Sequence, residues 1–302
     1  MSPTHQPVLA VETLHWLAPV SGGVYADCNV GLGGHAAAIL ASSAPDGRLL
    51  GFDWDEDALA LARRNLAVYE ARTWLLRRNF IELEVTLAEL AIVRIDGLLL
   101  DLGISSLQLD GRSADGSARG FSFRRCESLD MRMDRRGGRT AADLLRDLSA
   151  SELADILYYY GEERQARRIA RAIVEQRRQV PLDNTGQLAE LVAAAIPRRF
   201  HPAKIHVATR TFQALRIAVN HELENLATIL TMAPSLLRSG ARFCVITFHS
   251  LEDRLVKRAF RADPRLRVLT PRPVTPSAEE LRRNPRSRSA KLRVAERREE
   301  TG

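Results

Sequence analysis

Cysteine is scarce in this chain, and its placement excludes several classes of protein. Only three cysteines occur in 302 residues, at Cys28, Cys126 and Cys244, and they do not form the closely spaced pairs of a zinc site. The count is equally unsuited to a small secreted domain held together by disulfides. We therefore expect a reduced, cytoplasmic protein without a metal.

Long apolar runs, a leader-like segment and internal repeats are also missing. No run approaches the roughly 18 apolar residues of a membrane helix, and residues 1–12 lack the basic patch and apolar stretch of a secretion signal. We expect no membrane partner. Apolar residues make up 45% and charged residues 27% of the chain, which is the mix of an ordinary globular protein with one large or two modest domains.

Positive charge is concentrated near the end of the sequence. The net charge is +7, yet residues 254–302 alone hold 15 Lys or Arg against 6 Asp or Glu. A nearly neutral body with a basic tail favours a polyanionic partner. The alternative is a solvated tail that only improves solubility, and charge alone does not separate the two.

The first hundred residues alternate short apolar runs with helical patterns. The runs are bounded by Gly, Asp or Asn and are typical of buried strands, at 24–28, 48–52, 73–77 and 95–101. Helical patterns lie between them, at 35–43, 55–66 and 81–90. Strand, helix and strand at this spacing predict a parallel sheet of the α/β class.

This alternation is interrupted after Asp101. The next strong strand pattern, residues 241–248, begins 140 residues later, although one crossover connection needs only about a dozen. We predict an inserted all-helical domain at 109–205, carried on an α/β domain formed by 1–108 and 206–302. Residues 209–237 are expected to return as one helix covering the sheet, and 266–269 and 291–295 as antiparallel edge strands.

A glycine-rich turn follows the first strand directly. Gly31, Gly33 and Ala36 satisfy the glycine fingerprint of nucleotide-binding folds in the required setting of strand, turn and helix. Asp53 ends the second strand, where a carboxylate can accept both ribose hydroxyls of an adenosine-type cofactor. The alternative is that the glycines only make a tight turn and that Asp53 caps a helix.

The cofactor is either NAD or S-adenosylmethionine (SAM). Asp27 precedes the turn, and its negative charge disfavours the pyrophosphate of NAD but suits a sulfonium or ammonium group. The insert also interrupts the second half of the sheet that a dinucleotide needs. We therefore favour SAM, with Asp101 and the polar loop after the fourth strand beside its reactive end. The Asn/Asp-Pro-Pro-aromatic signature of many amino methyltransferases is absent.

Motifs along nearly the whole chain resemble one family of enzymes. They are His5–Leu9, Gly31–His35, Leu99–Ser106, Arg119–Phe123, Leu129–Asp134, Tyr160–Arg164, Arg168–Ile173, Ala208–Ile217, Phe248–Arg254 and Asn284–Ser289. The sequence resembles the ribosomal RNA small subunit methyltransferase H family. The resemblance implies a Rossmann-like class I fold, SAM as cofactor, and methylation of the exocyclic N4 of a cytidine in the decoding centre of 16S ribosomal RNA.

The resemblance also implies particular site residues. Cofactor contacts fall on Gly33, Gly34, His35, Asp53, Phe80, Asp101 and Gln108. Three positions depart from the family pattern, Cys28, Asn29 and Leu107, where Gly, Thr and Pro are usual; we expect cofactor binding to survive them. Phe80 could lie against the adenine or could equally be an ordinary core residue. His249, which follows the fifth strand, could reach the acceptor site or could equally be a buried structural histidine.

We assign the chemistry and the RNA contacts as hypotheses. An acceptor for the N–H protons of the target amine is expected among Asp101, Ser105 and Ser106. Phosphate-binding cations are expected at Arg119, Arg124, Arg132, Arg286 and Arg288. We expect the partner to be small-subunit RNA in the form of the assembled subunit. Whether the protein forms a homodimer is left open. Two alternatives remain, an NAD-dependent oxidoreductase and a non-catalytic RNA-binding assembly factor.

Overall fold

The computed structural model describes residues 7–104 and 119–299. The chain divides into two compact units. The first, called here the sheet unit, comprises Met1–Gly103 and Leu223–Gly302; the second, called the helical unit, comprises Ile104–Glu222. No helix among the described residues has the length and apolar character needed to span a bilayer.

Seven strands form one sheet in the sheet unit. They are β1 (Val24–Asp27), β2 (Arg48–Asp53), β3 (Thr73–Arg77), β4 (Ile95–Asp101), β5 (Leu237–Thr247), β6 (Leu266–Val268) and β7 (Lys291–Arg297), in the order β3-β2-β1-β4-β5-β7-β6. The first five strands are parallel, whereas β7 runs antiparallel to both β5 and β6. The predicted strands are confirmed, and β7 is antiparallel as expected. The edge strand β6 is antiparallel to β7 and therefore parallel to the first five strands, which differs from the expectation of two antiparallel edge strands.

Helices cover both faces of this sheet. Their bounds are α1 (Ala10–Leu17), α2 (Gly34–Ser42), α3 (Glu56–Asn65), α4 (Leu83–Glu89), α10 (Glu222–Leu236), α11 (Ser250–Ala262) and α12 (Ala278–Arg283). Alternate strand residues face opposite sides: Leu98 and Leu100 pack with α4, α10 and α11, whereas Leu99 packs with α1, α2 and α3. Strands buried on both faces explain the nearly continuous apolar runs in the sequence.

The helical unit contains five further helices among its described residues. They are α5 (Ala141–Asp147), α6 (Ala150–Tyr159), α7 (Ala166–Gln176), α8 (Thr185–Ala195) and α9 (Thr209–Asn220). Capping boxes begin three of them, at Thr140, Ser149 and Asn184. The buried Asn220 side chain accepts from the Met133 amide at 2.8 Å and donates to the Met131 carbonyl at 2.8 Å, which ties the segment before α5 to the end of α9.

The expectation of one covering helix over residues 209–237 is wrong. The chain forms two helices, α9 and α10, because His221 between them adopts a left-handed backbone conformation with φ 51°. The first of these packs on α6 and α5 inside the helical unit, and the second covers the sheet. The helical unit accordingly ends at Glu222, beyond the predicted limit of residue 205.

Candidate active site

Three adjacent strands of the sheet end in aspartates. Asp27 ends β1, Asp53 ends β2 and Asp101 ends β4, and β1 lies between the other two strands. All three strands run parallel, so their carboxyl ends lie at the same edge of the sheet. Ligands of open α/β sheets bind outside this edge, which makes the three carboxyl groups the centre of the candidate site.

The glycine turn is fastened to the end of β2 through Asp53. One carboxyl oxygen of Asp53 accepts from the Gly31 amide at 3.0 Å, and the other accepts from the Asp55 amide at 2.9 Å. Gly31 and Gly33 have φ values of 51° and 83°, in the left-handed region that favours glycine. The α2 helix then begins at Gly34 without a side-chain cap. The Gly33 amide donates to the Val30 carbonyl oxygen at 2.8 Å, so the turn is closed on itself and holds the Asp53 carboxylate close to the start of α2.

Two carboxyl oxygens at this edge lack a partner. Within residues 7–104 and 119–299, no hydrogen-bond donor reaches Oδ2 of Asp27 or Oδ1 of Asp101, although both atoms are buried. The other oxygen of Asp27 accepts a long bond of 3.4 Å from the Asn29 amide. Buried polar atoms are nearly always hydrogen-bonded in folded proteins. These oxygens therefore indicate a position for a bound cationic or hydrogen-donating group.

Burial and nearby negative charges raise the pKa of all three carboxyl groups. Burial raises the pKa of Asp27 to about 7, and the charge of Asp53 acts in the same direction. Burial likewise raises the pKa of Asp53 to about 7, partly opposed by the amides that donate to it. The pKa of Asp101 lies well above its usual range because of burial and the charges of Asp27 and Glu252. A bound cation would stabilise the ionised forms.

The raised pKa of Asp27 predicts a pH-dependent stability for the ligand-free protein. The folded state binds this proton more tightly than the unfolded chain, so the stabilisation is complete below about pH 4 and is lost as pH rises through 7. We expect the Asp27→Asn protein to unfold about 5 °C above the wild type at pH 8, with little difference at pH 4. Thermal denaturation followed by circular dichroism measures this.

The matched control is Asp46→Asn. Asp46 is exposed in the same unit, and its substitution likewise replaces a carboxyl group by an amide. Its unfolding temperature should follow the wild type at both pH values. A difference between Asp27→Asn and wild type that stays constant from pH 4 to 8 would contradict the raised pKa.

Two histidines lie near the carboxyl groups. His35, at the start of α2, is 6% exposed, and its Nε2 lies 3.6 Å from Oδ2 of Asp101. His249 caps α11: its Nδ1 accepts from the Glu252 amide at 3.4 Å, while Nε2 lies 3.0 Å from a Glu252 carboxyl oxygen. His249 therefore has a structural role as a helix cap.

Sequence reasoning missed two contributors to this edge. Asn29, one of the departures from the family pattern, donates from its side chain to the main-chain oxygen of Asp101 at 2.9 Å. Glu252 is 2% exposed and accepts from the Phe248 amide at 2.7 Å, which adds a fourth acid beside Asp101. The spacing of His249 and Glu252, three residues apart at a helix start, was a detectable capping signal.

The remaining predicted cofactor and catalytic residues have different placements. Phe80 is 4% exposed within the apolar core between the sheet and α4, so its contact with adenine stays a prediction. Gly34 begins α2 next to the turn. Ser105, Ser106 and Gln108 lie outside the described residues.

The predicted RNA-binding arginines differ in their availability. Arg119 is 3% exposed and lies over the Phe121 ring, so it is not accessible to a phosphate in this structure. Arg132 forms a bidentate pair with Asp130, with nitrogen–oxygen distances of 2.7 and 3.0 Å. Arg124, Arg286 and Arg288 are exposed. Their role in RNA binding stays a prediction.

Comparison with known proteins identifies the family. Residues 2–298 match the MraW methylase family. A protein named ribosomal RNA small subunit methyltransferase H from Desulfotalea psychrophila is 56% identical, over 97% of this chain and 97% of its own length. Proteins of the same name from Trichormus variabilis (49% identical, 99% and 93% covered) and Syntrophus aciditrophicus (48% identical, 97% and 97% covered) are also similar.

The strand order fits this family assignment. A sheet of order β3-β2-β1-β4-β5-β7-β6 with an antiparallel β7 is the arrangement of the class I SAM-dependent methyltransferases, so the predicted Rossmann-like fold class is confirmed. The expectation of SAM rather than NAD is confirmed as well. Since the match spans nearly the whole chain, the protein belongs to the MraW methylase family and is a methyltransferase that uses SAM as its cofactor.

Proposed function

We propose that this protein transfers a methyl group from SAM to the exocyclic N4 of a cytidine in the decoding centre of small-subunit ribosomal RNA. The observation that carries the proposal is the set of three aspartates at one sheet edge, the buried Asp27 and the half-buried Asp53 and Asp101, in a chain with these relatives. The names of the relatives support the RNA substrate. The choice of N4 and of the decoding centre rests on the family resemblance of the motifs.

The residues present fit SAM. When bound, SAM supplies a methyl carbon attached to a positively charged sulfur, together with an ammonium group and two ribose hydroxyls. Asp53 would hold the ribose, since each of its oxygens can accept a bond besides the amide it already binds. The unpartnered oxygen of Asp27 would face the cationic groups of SAM, and Asp101 would lie beside its reactive end. The glycine turn, His35 and Gln108 complete the proposed site.

The amine of cytosine needs help to act as a nucleophile because its lone pair is delocalised into the ring. An acceptor for its N–H protons would localise the lone pair as the new bond forms. We assign this role to Asp101, whose Oδ1 lacks a donor among the described residues. Ser105 and Ser106 remain candidates for the same role. Asn29 and His35 would orient Asp101 from the protein side.

The biological setting is proposed on the same basis. We expect the substrate to be the assembled small subunit in the cytoplasm, with the insert predicted at 109–205 contributing RNA recognition. A homodimer is a secondary hypothesis. The second candidate function is a non-catalytic assembly factor that binds the same RNA, and the charge distribution favours it as much as it favours the enzyme.

A methyl-transfer assay tests the proposal. Purified protein and SAM carrying a labelled methyl group are incubated with small subunits and with free small-subunit RNA from cells lacking this activity. We expect label in the RNA, with N4-methylcytidine as the labelled nucleoside by mass spectrometry. Binding without transfer would favour the assembly factor, and label in another nucleoside would overturn the N4 assignment.

A further inference from the structure

A concave surface lies in the helical unit, and none of its lining residues was predicted to contact SAM. It is a groove of about 840 Å³ between α6 and α7. We call it the arginine-tyrosine groove after six of the side chains that line it, which are Tyr158, Tyr159, Arg164, Arg167, Arg168 and Arg171. None of these residues was among the predicted RNA contacts.

The groove follows from the pattern of α7. Ala166, Ile169, Ala170 and Ile173 are buried along one side of this helix. The arginines occupy the other side, and all four arginines of the groove are exposed. Arg167 and Arg171 are one turn apart, about 6 Å along the helix axis. That spacing is comparable with the separation of adjacent phosphates in a single-stranded nucleic acid.

The arginines of the groove are not engaged by acids. Within residues 119–222, no carboxylate forms an ion pair with Arg164, Arg167, Arg168 or Arg171. Other exposed arginines of the same unit are paired, such as Arg136 with Asp134 at 2.7 Å and Arg139 with Asp147 at 2.9 Å. Asp155 is the one acid in the groove lining. The groove thus presents an excess of unneutralised guanidinium groups.

Two tyrosine rings complete the surface. Tyr158 and Tyr159 are 56% and 64% exposed, and their rings contact each other edge to face at 5.2 Å between centroids. Exposed aromatic rings beside cations are what single-stranded nucleic acids bind, since bases stack on the rings while cations neutralise the phosphates. A peptide rich in acids would use the arginines but would gain little from the ring faces.

We propose that the arginine-tyrosine groove binds a single-stranded RNA segment, with the arginines on its phosphates and Tyr158 and Tyr159 against its bases. This rests on the proposed function only for the origin of the RNA, which would be the small-subunit RNA around the target nucleotide. The groove then contributes to the affinity for the RNA rather than to the chemistry of methyl transfer.

The test measures binding of a fluorescein-labelled 12-nucleotide oligouridylate to the full-length protein by fluorescence anisotropy at several salt concentrations. In the Arg167→Gln/Arg171→Gln protein we expect about 10-fold weaker binding, and the slope of log Kd against log salt should fall by about 1.4. In the Tyr158→Ala/Tyr159→Ala protein we expect about 10-fold weaker binding with an unchanged slope. Tyr158→Phe/Tyr159→Phe keeps the rings and should bind as the wild type does.

Arg136→Gln is the matched control, because it removes an exposed arginine that is already paired with Asp134. Unchanged binding in both groove variants would overturn the proposal, as would competition by polyglutamate that equals competition by unlabelled RNA. Methyl transfer to small subunits separates this result from the proposed function. If the wild type is active and the groove variants have a raised KM for the subunits with an unchanged kcat, the proposal is supported. An unchanged KM in the groove variants overturns it. If the wild type transfers no methyl group, the proposed function fails and the oligonucleotide result alone decides the groove.

Discussion

Replacing Asp53 by alanine is expected to weaken the binding of SAM about 100-fold, as measured by isothermal titration calorimetry. The carboxylate would accept two ribose hydroxyls, and hydrogen bonds to a charged group contribute roughly 1.5–3 kcal/mol each. The substitution also releases the Gly31 amide, which Asp53 holds at 3.0 Å. Both effects act on the adenosine half of the cofactor. Binding of S-adenosylhomocysteine, which has the same ribose but an uncharged sulfur, should therefore weaken by the same factor.

Comparing the affinities for SAM and S-adenosylhomocysteine shows whether Asp53 binds the ribose or the charged sulfur. Asp46→Asn removes an exposed carboxylate of the same unit and should leave both affinities unchanged. If Asp53→Ala weakened SAM much more than S-adenosylhomocysteine, Asp53 would be acting on the sulfonium charge rather than on the ribose. An affinity for SAM equal to that of wild type would remove Asp53 from the site.

The position of the site could be predicted from the sequence because it depends on local pattern. Gly31 and Gly33 after a buried run indicate a turn that only glycine adopts easily, and the structure gives both a positive φ. Asp27, Asp53 and Asp101 each end an apolar run, and the parallel sheet brings such ends to one edge. Their perturbed pKa values could not be predicted, since burial and the charge of Glu252 depend on packing between distant segments.

The roles of single arginines were much harder to predict. Arg119 and Arg132 lie in a Gly-, Ser- and Arg-rich stretch that suggests an RNA-binding loop, yet one is buried against Phe121 and the other is bound to Asp130. Sequence gives the number of charges and not their partners. The same limit hid Arg167 and Arg171, which look like the solvated side of an amphipathic helix. Only the structure shows that no carboxylate of the described helical unit forms an ion pair with them.

The break within residues 209–237 was missed for a conformational reason. Residues 209–237 have continuous helical character and contain no glycine that would indicate a break. The break falls at His221, in a left-handed conformation that a histidine adopts only when its surroundings favour it. Asn220 just before it is committed to Met131 and Met133 of the helical unit. These contacts are distant in sequence, so no local pattern shows them.

Asp101→Asn is expected to lower kcat for methyl transfer to small subunits about 100-fold, the range for loss of a positioned proton acceptor. An amide of the same shape keeps an acceptor oxygen but loses the negative charge that would stabilise the amine as it becomes cationic. The main-chain oxygen of Asp101 still accepts from Asn29, so the local backbone should be retained. KM for the RNA should change little, because the substitution leaves the cationic surfaces of the chain intact.

The pH dependence of the reaction provides the more specific test of Asp101. Its pKa lies well above the usual range of a carboxyl group, because of burial and the charges of Asp27 and Glu252. Below that pKa the group is protonated and cannot act as the acceptor, so kcat/KM of the wild type for the RNA, measured at saturating SAM, should rise with increasing pH. The Asp101→Asn protein should lack this rise, whereas Asp46→Asn should keep it. Full turnover of Asp101→Asn at pH 8 with normal SAM binding would show that another group accepts the proton, and would move the assignment to the loop that holds Ser105 and Ser106.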